Sequence, residues 1–345
     1  MIAFIILCII VVSFLQHWIL ENTPDAVDFN FWPEDNVVDP DESFNIELEL
    51  KNKERFPIFF IKITSSFAKE FQVNSKVKLA AKKYGVDDRH VTLSTWLKAK
   101  QKMQFKIPIS ISARGRYLLH TPTLHFGDFL GVKEKRRELS LFREVVVAPK
   151  EYPTEEVQQV LGKFLGEYSV RRFIFEDPVL TLGFREYSGR EPMKMISWKQ
   201  SAQRQTLMVK EYDHTIEPVL SVLVNIETQN EEASEEIEKV YSIARSVCSN
   251  LEAKGISYDF YTNAQLAGGE THVITEGLGS RHFSKVMELL GRGMQIHAFS
   301  YGKLLQLARE TGGRERGLVI ITPDDTAIST SASDNQTLLL NATLL

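Results

Sequence analysis

Cysteine is nearly absent: Cys8 and Cys248 are the only two in 345 residues. The first lies in an apolar N-terminal run and the second on the apolar side of a predicted helix, so no disulfide framework is expected and folding requires no oxidising compartment. Catalytic signatures are missing as well. No G-x-x-x-x-G-K-[ST] occurs, and Gly312-Gly313 follows a helical stretch that it terminates, which leaves the chain without a phosphate-cradling loop of its own. There is no G-x-S-x-G elbow, no H-E-x-x-H and no pair of neighbouring cysteines. His120 and His125 are expected on a single strand, where their spacing sets them on opposite faces. Charge of one sign is also lacking: 41 basic and 45 acidic residues leave a net −4, and clusters such as Lys133 to Arg137 are too short to suggest nucleic acid.

Ionisable residues are scarcest at the start. Met1 to Leu20 contains no Asp, Glu, Lys or Arg, and at about 1.5 Å per residue it reaches across an apolar bilayer core of about 30 Å. No basic region precedes this run and no small-x-small cleavage site follows it, which favours a retained anchor over a signal peptide. Neither flank carries nearby Lys or Arg, so the positive-inside rule leaves the direction of insertion open.

What is present divides the remainder. Residues 21–42 are acidic, contain proline and lack a period, as a linker would. From 43 to 149, alternating runs such as Phe44, Ile46, Leu48 and Leu50, and Phe105, Ile107, Ile109 and Ile111, predict half-buried strands of a β-sandwich-like domain. Residues 150–216 begin with a helix over Thr154 to Leu165 and continue into a stretch rich in Arg, Lys, Trp and Gly. From 217 to 345, apolar strand runs at Val219–Ile226, Ile256–Tyr261, His272–Thr275, His297–Tyr301 and Leu318–Thr322 alternate with amphipathic helices. That order predicts a doubly wound, mostly parallel α/β sheet covered on both faces, and an α+β multidomain chain as a whole.

In such sheets ligands gather at the carboxyl ends of the strands. Asn225, Glu227 and Gln229 follow the first strand, at the positions where von Willebrand factor A domains carry the D-x-S-x-S that holds a divalent metal. Glu227 supplies one carboxylate, and Asp324 and Asp325 after the last strand can approach the same edge. Both serines and the first aspartate are replaced, so the site is degenerate and the expectation is a polar loop without metal or other cofactor.

The stretch from Gly183 to Asp213 carries a longer pattern: Gly183, Arg185, Glu186 and Tyr187, a Gly189-Arg190-Glu191-Pro192 turn, then Ile196, Trp198, Ser201, Ala202, Leu207 and Val209. It resembles the signature of the bacterial domain-of-unknown-function 58 family, with Gln203 where that family usually has Arg and Arg204 beside it. Arg114-Gly115-Arg116-Tyr117 and Asp128-Phe129-Leu130-Gly131 match the family's middle segment. The resemblance implies a membrane helix, a sandwich-like segment and a von Willebrand A-like domain, working with a MoxR-type AAA+ ATPase in the assembly or activation of other proteins. It implies no catalytic residue. Arg185, Glu186, Tyr187, Trp198 and Arg204 are the types enriched at protein interfaces; alternatively, Trp198 packs against the α/β domain while Arg185 and Glu186 form a structural ion pair. The expected protein is a non-enzymatic, single-pass adaptor of the cell membrane with its soluble domains in the cytoplasm. A metal-dependent hydrolase and a cell-surface structural protein are the alternatives.

Overall fold

The computed structural model describes the chain apart from residues 1, 74–77, 82–88, 129–132, 173–180, 190, 213–218, 231, 270, 313–315, 325–336 and 345. It is a mixed α/β protein of two compact units, one comprising Met1–Lys150 with Met287–Gly293 and the other Glu151–Val286 with Met294–Leu345.

The first unit begins with helix α1 (Ile2–Ala26), whose stretch from Phe4 to Ala26 is long and apolar enough to cross a membrane. Most of its large side chains face outward, but its last turns do not: Leu20, Thr23 and Ala26 are buried. The residues expected to form a linker are instead structured. Val27–Pro33 is a strand of alternating burial that pairs antiparallel with Phe44–Asn52, and Val37–Val38 pairs with Arg143–Val147. Its alternation of Val27, Phe29 and Phe31 with polar residues is short and lies among acidic residues and prolines, which masks the period.

Two antiparallel sheets follow. One orders Val27–Pro33, Phe44–Asn52, Lys102–Ile111 and Phe71–Val73; the other orders Glu134–Glu138, Thr123–Gly127, Ile58–Phe67, Arg89–Leu97 and Lys78–Ala81. Ile46, Leu48 and Leu50 of the first share one core with Ile61, Ile63 and Leu97 of the second. The single strand expected to carry His120 and His125 is two strands, Gly115–Leu119 and Thr123–Gly127, because Pro122 lacks the N–H a continuous ladder needs. His120 therefore lies between strands and only His125 lies on one. Arg114 donates to the carbonyls of Leu290 (2.8 Å) and Gly293 (2.5 Å), and Glu144 accepts from both Arg116 and Arg292 at 2.5 Å, all within this unit. Those bonds give the R-G-x-Y arginines a structural role.

The second unit opens with α2 (Thr154–Arg172), which buries Val157, Leu161, Phe164, Leu165 and Tyr168 along one helical stripe. Its main sheet orders Val273–Gly277, Tyr258–Thr262, Leu220–Val224, Gly317–Thr322 and Thr337–Asn341. The last four of these run parallel and the first antiparallel. The signature contributes α3 (Trp198–Arg204); the sheet is flanked by α4 (Ser234–Ala253), with α5 (Ser280–Arg292), whose residues from Met287 on belong to the first unit, and α6 (Tyr301–Gly312) following. Leu223, Tyr261 and Ile320 pack with Tyr301, Leu304, Leu305 and Ala308 of α6. The alternate residues Leu220, Val222, Val319 and Ile321 are equally buried, so both faces are covered. The segment expected as a strand from His297 to Tyr301 is divided: Gly293–His297 is strand, and α6 starts at Tyr301.

Candidate functional site

Two places hold the residues singled out by the sequence, and both lie in the second unit. The first is the signature. Thr181–Glu186 and Met208–Tyr212 form an antiparallel hairpin in which Arg185 faces Val209 and Glu186 faces Met208. The other edge of Met208–Tyr212 is taken by Ile196, bridged to Val209, and by Ser197, whose N–H reaches the Met208 carbonyl at 2.8 Å. Ser201 locks α3 onto this strand: its hydroxyl donates to the Ser197 carbonyl and accepts from the Met208 N–H, both at 2.8 Å. Buried Ile196, Met208 and Val209 complete the brace.

Arg185 does not pair with Glu186, because neighbours on a strand point to opposite faces. Its partner is Glu191, at 2.6 Å, from the G-R-E-P turn. The Glu191 carboxylate also accepts from the Ser188 hydroxyl (2.7 Å) and N–H (3.0 Å), and these bonds, Ser188 first and Arg185 next, hold its pKa down at about 2. Gly189 turns at a φ of +88°, a conformation open to glycine at little cost. Tyr187 closes the hairpin end through its N–H to the Leu207 carbonyl (2.8 Å). The sequence offered a hint of Glu191's role, since an acid three residues after Ser188 is placed to close such a turn.

On this braced backbone the large side chains stay in solvent. Trp198, the first residue of α3, is 63% exposed, and Met193 and Leu207 are 70% and 46% exposed. Lys194, Lys199 and Arg204 of the same segment are exposed as well. Trp198 is therefore not packed in a core, contrary to the structural alternative for it. Met193 escaped notice because an isolated apolar residue gives no periodic signal, and Leu207 stood out only as a signature position, with nothing to mark it as exposed.

The second place is the carboxyl edge of the main sheet. Asn225 is fully buried, and its amide oxygen accepts from Asn263 Nδ2 (2.7 Å) and from the Glu227 N–H (3.1 Å). Its amide nitrogen donates to Thr322 at 3.2 Å. Glu227 turns to the start of α6, where it accepts from the Tyr301 N–H at 2.5 Å, and Asp324 accepts from the Thr228 hydroxyl at 2.6 Å. Gln229 is exposed in the following loop, and Asp325 lies outside the described residues. The structure thus gathers Asn225, Glu227 and Asp324 at one edge. It links them into a hydrogen-bonded plug in which Asn225 has both amide-oxygen lone pairs engaged, a poor fit to a hard cation that needs converging free oxygens. Asn263, just after the strand Tyr258–Thr262, and Thr322, at the end of Gly317–Thr322, complete the plug with Thr228; the first two were not recognisable from spacing because they lie 38 and 97 positions from Asn225.

Chemically the plug holds a strand-to-helix turn rigid. Cys248 is no candidate nucleophile: burial raises its thiol far above the usual range, which disfavours the thiolate.

The class these features define is a mixed α/β protein with one helix suited to a membrane and an exposed aromatic–basic hairpin. No family model matches the chain. Over 291 residues it is 22% identical to the uncharacterised protein YeaD of Bacillus subtilis (strain 168), spanning 81% of this chain and 66% of that protein. Among solved structures, a cohesin module from a family 33 glycoside hydrolase of Clostridium perfringens aligns with a TM-score of 0.26 and 12% identity over 35% of this chain and 96% of that one. The sporulation control protein Spo0M of Bacillus subtilis aligns with a TM-score of 0.20 and 14% identity over 47% and 58%. Scores this low assign no fold and no activity.

Proposed function

We propose that the chain is a membrane-anchored interaction protein of the domain-of-unknown-function 58 kind. Its signature hairpin engages a MoxR-type AAA+ ATPase or that ATPase's client, and its second unit is a von Willebrand A-like domain that binds rather than catalyses. The observation that carries this reading is Trp198, 63% exposed on a backbone fixed by hydrogen bonds on both sides. With Met193 and Leu207 also exposed in the same segment, a Trp displayed on a fixed backbone suits a partner's pocket, and Trp and Arg are the residues most often dominant at such contacts. Exposed Lys194, Lys199 and Arg204 favour an acidic partner surface and speed the encounter. The mostly parallel sheet flanked by helices, and the polar plug where metal ligands would stand, support the von Willebrand A-like reading in its non-catalytic form.

Anchorage through α1 is supported by more than its length. Leu20 and Ala26 belong to the sandwich core, and the Trp18 ring sits edge-on against Phe56 at 5.6 Å, so removing the helix as a signal peptide would strip packing from the first unit. A cytosolic ATPase as partner places both units in the cytoplasm.

The test is capture by the full-length protein in detergent, wild type against Trp198→Ala, with bound proteins identified by mass spectrometry and folding checked by circular dichroism. A MoxR-type ATPase is expected with the wild type and reduced about thirtyfold in the variant, as for loss of a dominant contact residue. Equal recovery by both proteins, or no such ATPase with either, overturns the reading.

A further inference from the structure

The end of the first unit that surrounds the exit of α1 combines a stiff junction with outward-facing aromatics. The last turns of α1 are fixed by Arg137, which donates to the carbonyls of Pro24 (2.6 Å) and Val27 (2.8 Å), by an ion pair of Lys135 with Glu21, and by the Lys53 N–H on the Ala26 carbonyl at 2.8 Å. A guanidinium on the final carbonyls of a helix satisfies acceptors that have no partner within it and complements its dipole. The helix therefore does not swivel on a loop; its direction sets which surface stands next to the bilayer.

Strand register identifies that surface. Ile58 pairs with Leu97 and Phe60 with Gly127, so the turns after Asn52, Leu97 and Gly127 lie at one end of the sheet. Asn52 ties two of them together by donating to the carbonyls of Phe56 (2.8 Å) and Lys98 (2.9 Å). Trp18 packs on Phe56 at this end. Beside them, at an irregularity in the Ile58–Leu97 pairing, Trp96 and Phe59 are 54% and 43% exposed. The ammonium of Lys98 lies over the Trp96 ring, 5.8 Å from its centroid, and Arg55 is exposed on the adjoining turn. The strand bearing Trp96 is two places from the strand of Gly127, about 10 Å across the sheet at the usual strand spacing.

We infer that this end of the first unit is a lipid-contacting surface: Trp96 and Phe59 enter the headgroup region of the bilayer that α1 crosses, alongside Trp18, while Lys98 and Arg55 meet lipid phosphates. Tryptophan is favoured at that depth because its ring is apolar and its N–H remains hydrogen-bonded, and lysine and arginine extend from apolar stems toward phosphate. The inference rests on the reading of α1 as a membrane span.

Depth-dependent quenching separates the two. Full-length chains retaining only Trp18 or only Trp96, the other tryptophans replaced by Phe, are reconstituted into phosphatidylcholine vesicles with brominated acyl chains. Both are expected to lose most of their emission relative to unbrominated vesicles. Quenching of Trp18 but not Trp96 overturns the surface while leaving the anchor; no quenching of Trp18 overturns the anchor and the surface together. The single change Trp96→Phe in an otherwise unaltered chain gives the same answer by difference, as loss of bromine-sensitive emission.

Discussion

Two β structures in the second unit treat apolar side chains in opposite ways. The main sheet buries every residue of Leu220–Val224 between helices on its two faces, whereas the signature hairpin, only a few residues earlier in the chain, leaves Trp198, Met193 and Leu207 in solvent. The sheet is held by apolar packing with hydrogen bonds as a by-product of burial. The hairpin is held largely by polar geometry: the Arg185–Glu191–Ser188 cluster, the Ser201 lock and a small apolar seam of Ile196, Met208 and Val209. Core packing and exposed apolar side chains are thus separated within one unit, and substitutions at the two should separate as well.

The sharpest break in that contrast comes from the sheet. Leu223→Ala, which opens a cavity beneath α6, is expected to cost about 3 kcal/mol in the denaturant unfolding of the second unit. Next is Asn225→Asp, which restores the acid of the D-x-S-x-S pattern. Thr322 already donates its hydroxyl proton to the Asp324 carbonyl, so the new carboxylate oxygen faces an acceptor, and destabilisation of about 2 kcal/mol is expected. The loss should deepen as pH rises, since burial disfavours the charged form. Stabilisation of this variant by Mg²⁺ would show instead that the plug opens to a cation.

A smaller effect is expected at His282, which stands edge-on to Tyr258 at 4.7 Å with Nε2 buried and unpartnered. Burial holds its pKa below 6.5, so the unfolded chain takes up the proton first. Stability is complete above about pH 6.5 and falls as pH drops toward the folded value, and His282→Leu should flatten that slope in thermal melts. The least effect on stability belongs to Trp198→Ala, within about 0.5 kcal/mol, because its ring is largely in water. A larger loss would mean that the ring supports the fold rather than serving a partner.

The patterns that sequence alone revealed are those with a period. Phe44–Leu50, Phe105–Ile111 and the stripe of α4 announced their elements because alternation by two or by three and four survives whatever the neighbours do. The strand Val27–Pro33 was missed because it is brief and sits among acids and prolines, and its place is fixed by pairing with Phe44–Asn52. At the signature, the sequence marked the residues but paired Arg185 with the wrong acid; only the turn at Gly189 brings Glu191 into reach.

By itself, then, the sequence determined an apolar N-terminal helix, the strands and helices that carry a clear period, the lack of the commoner catalytic motifs, and the chemical types concentrated in the signature. Tertiary structure decided which of those side chains remain in water, that Asn225 is engaged by Asn263 and Thr322, and that α1 is clamped by Arg137 rather than joined through a linker. The reason is physical: local period follows from backbone geometry, but hydrogen-bond partners 38 or 113 positions apart are chosen by how the elements pack.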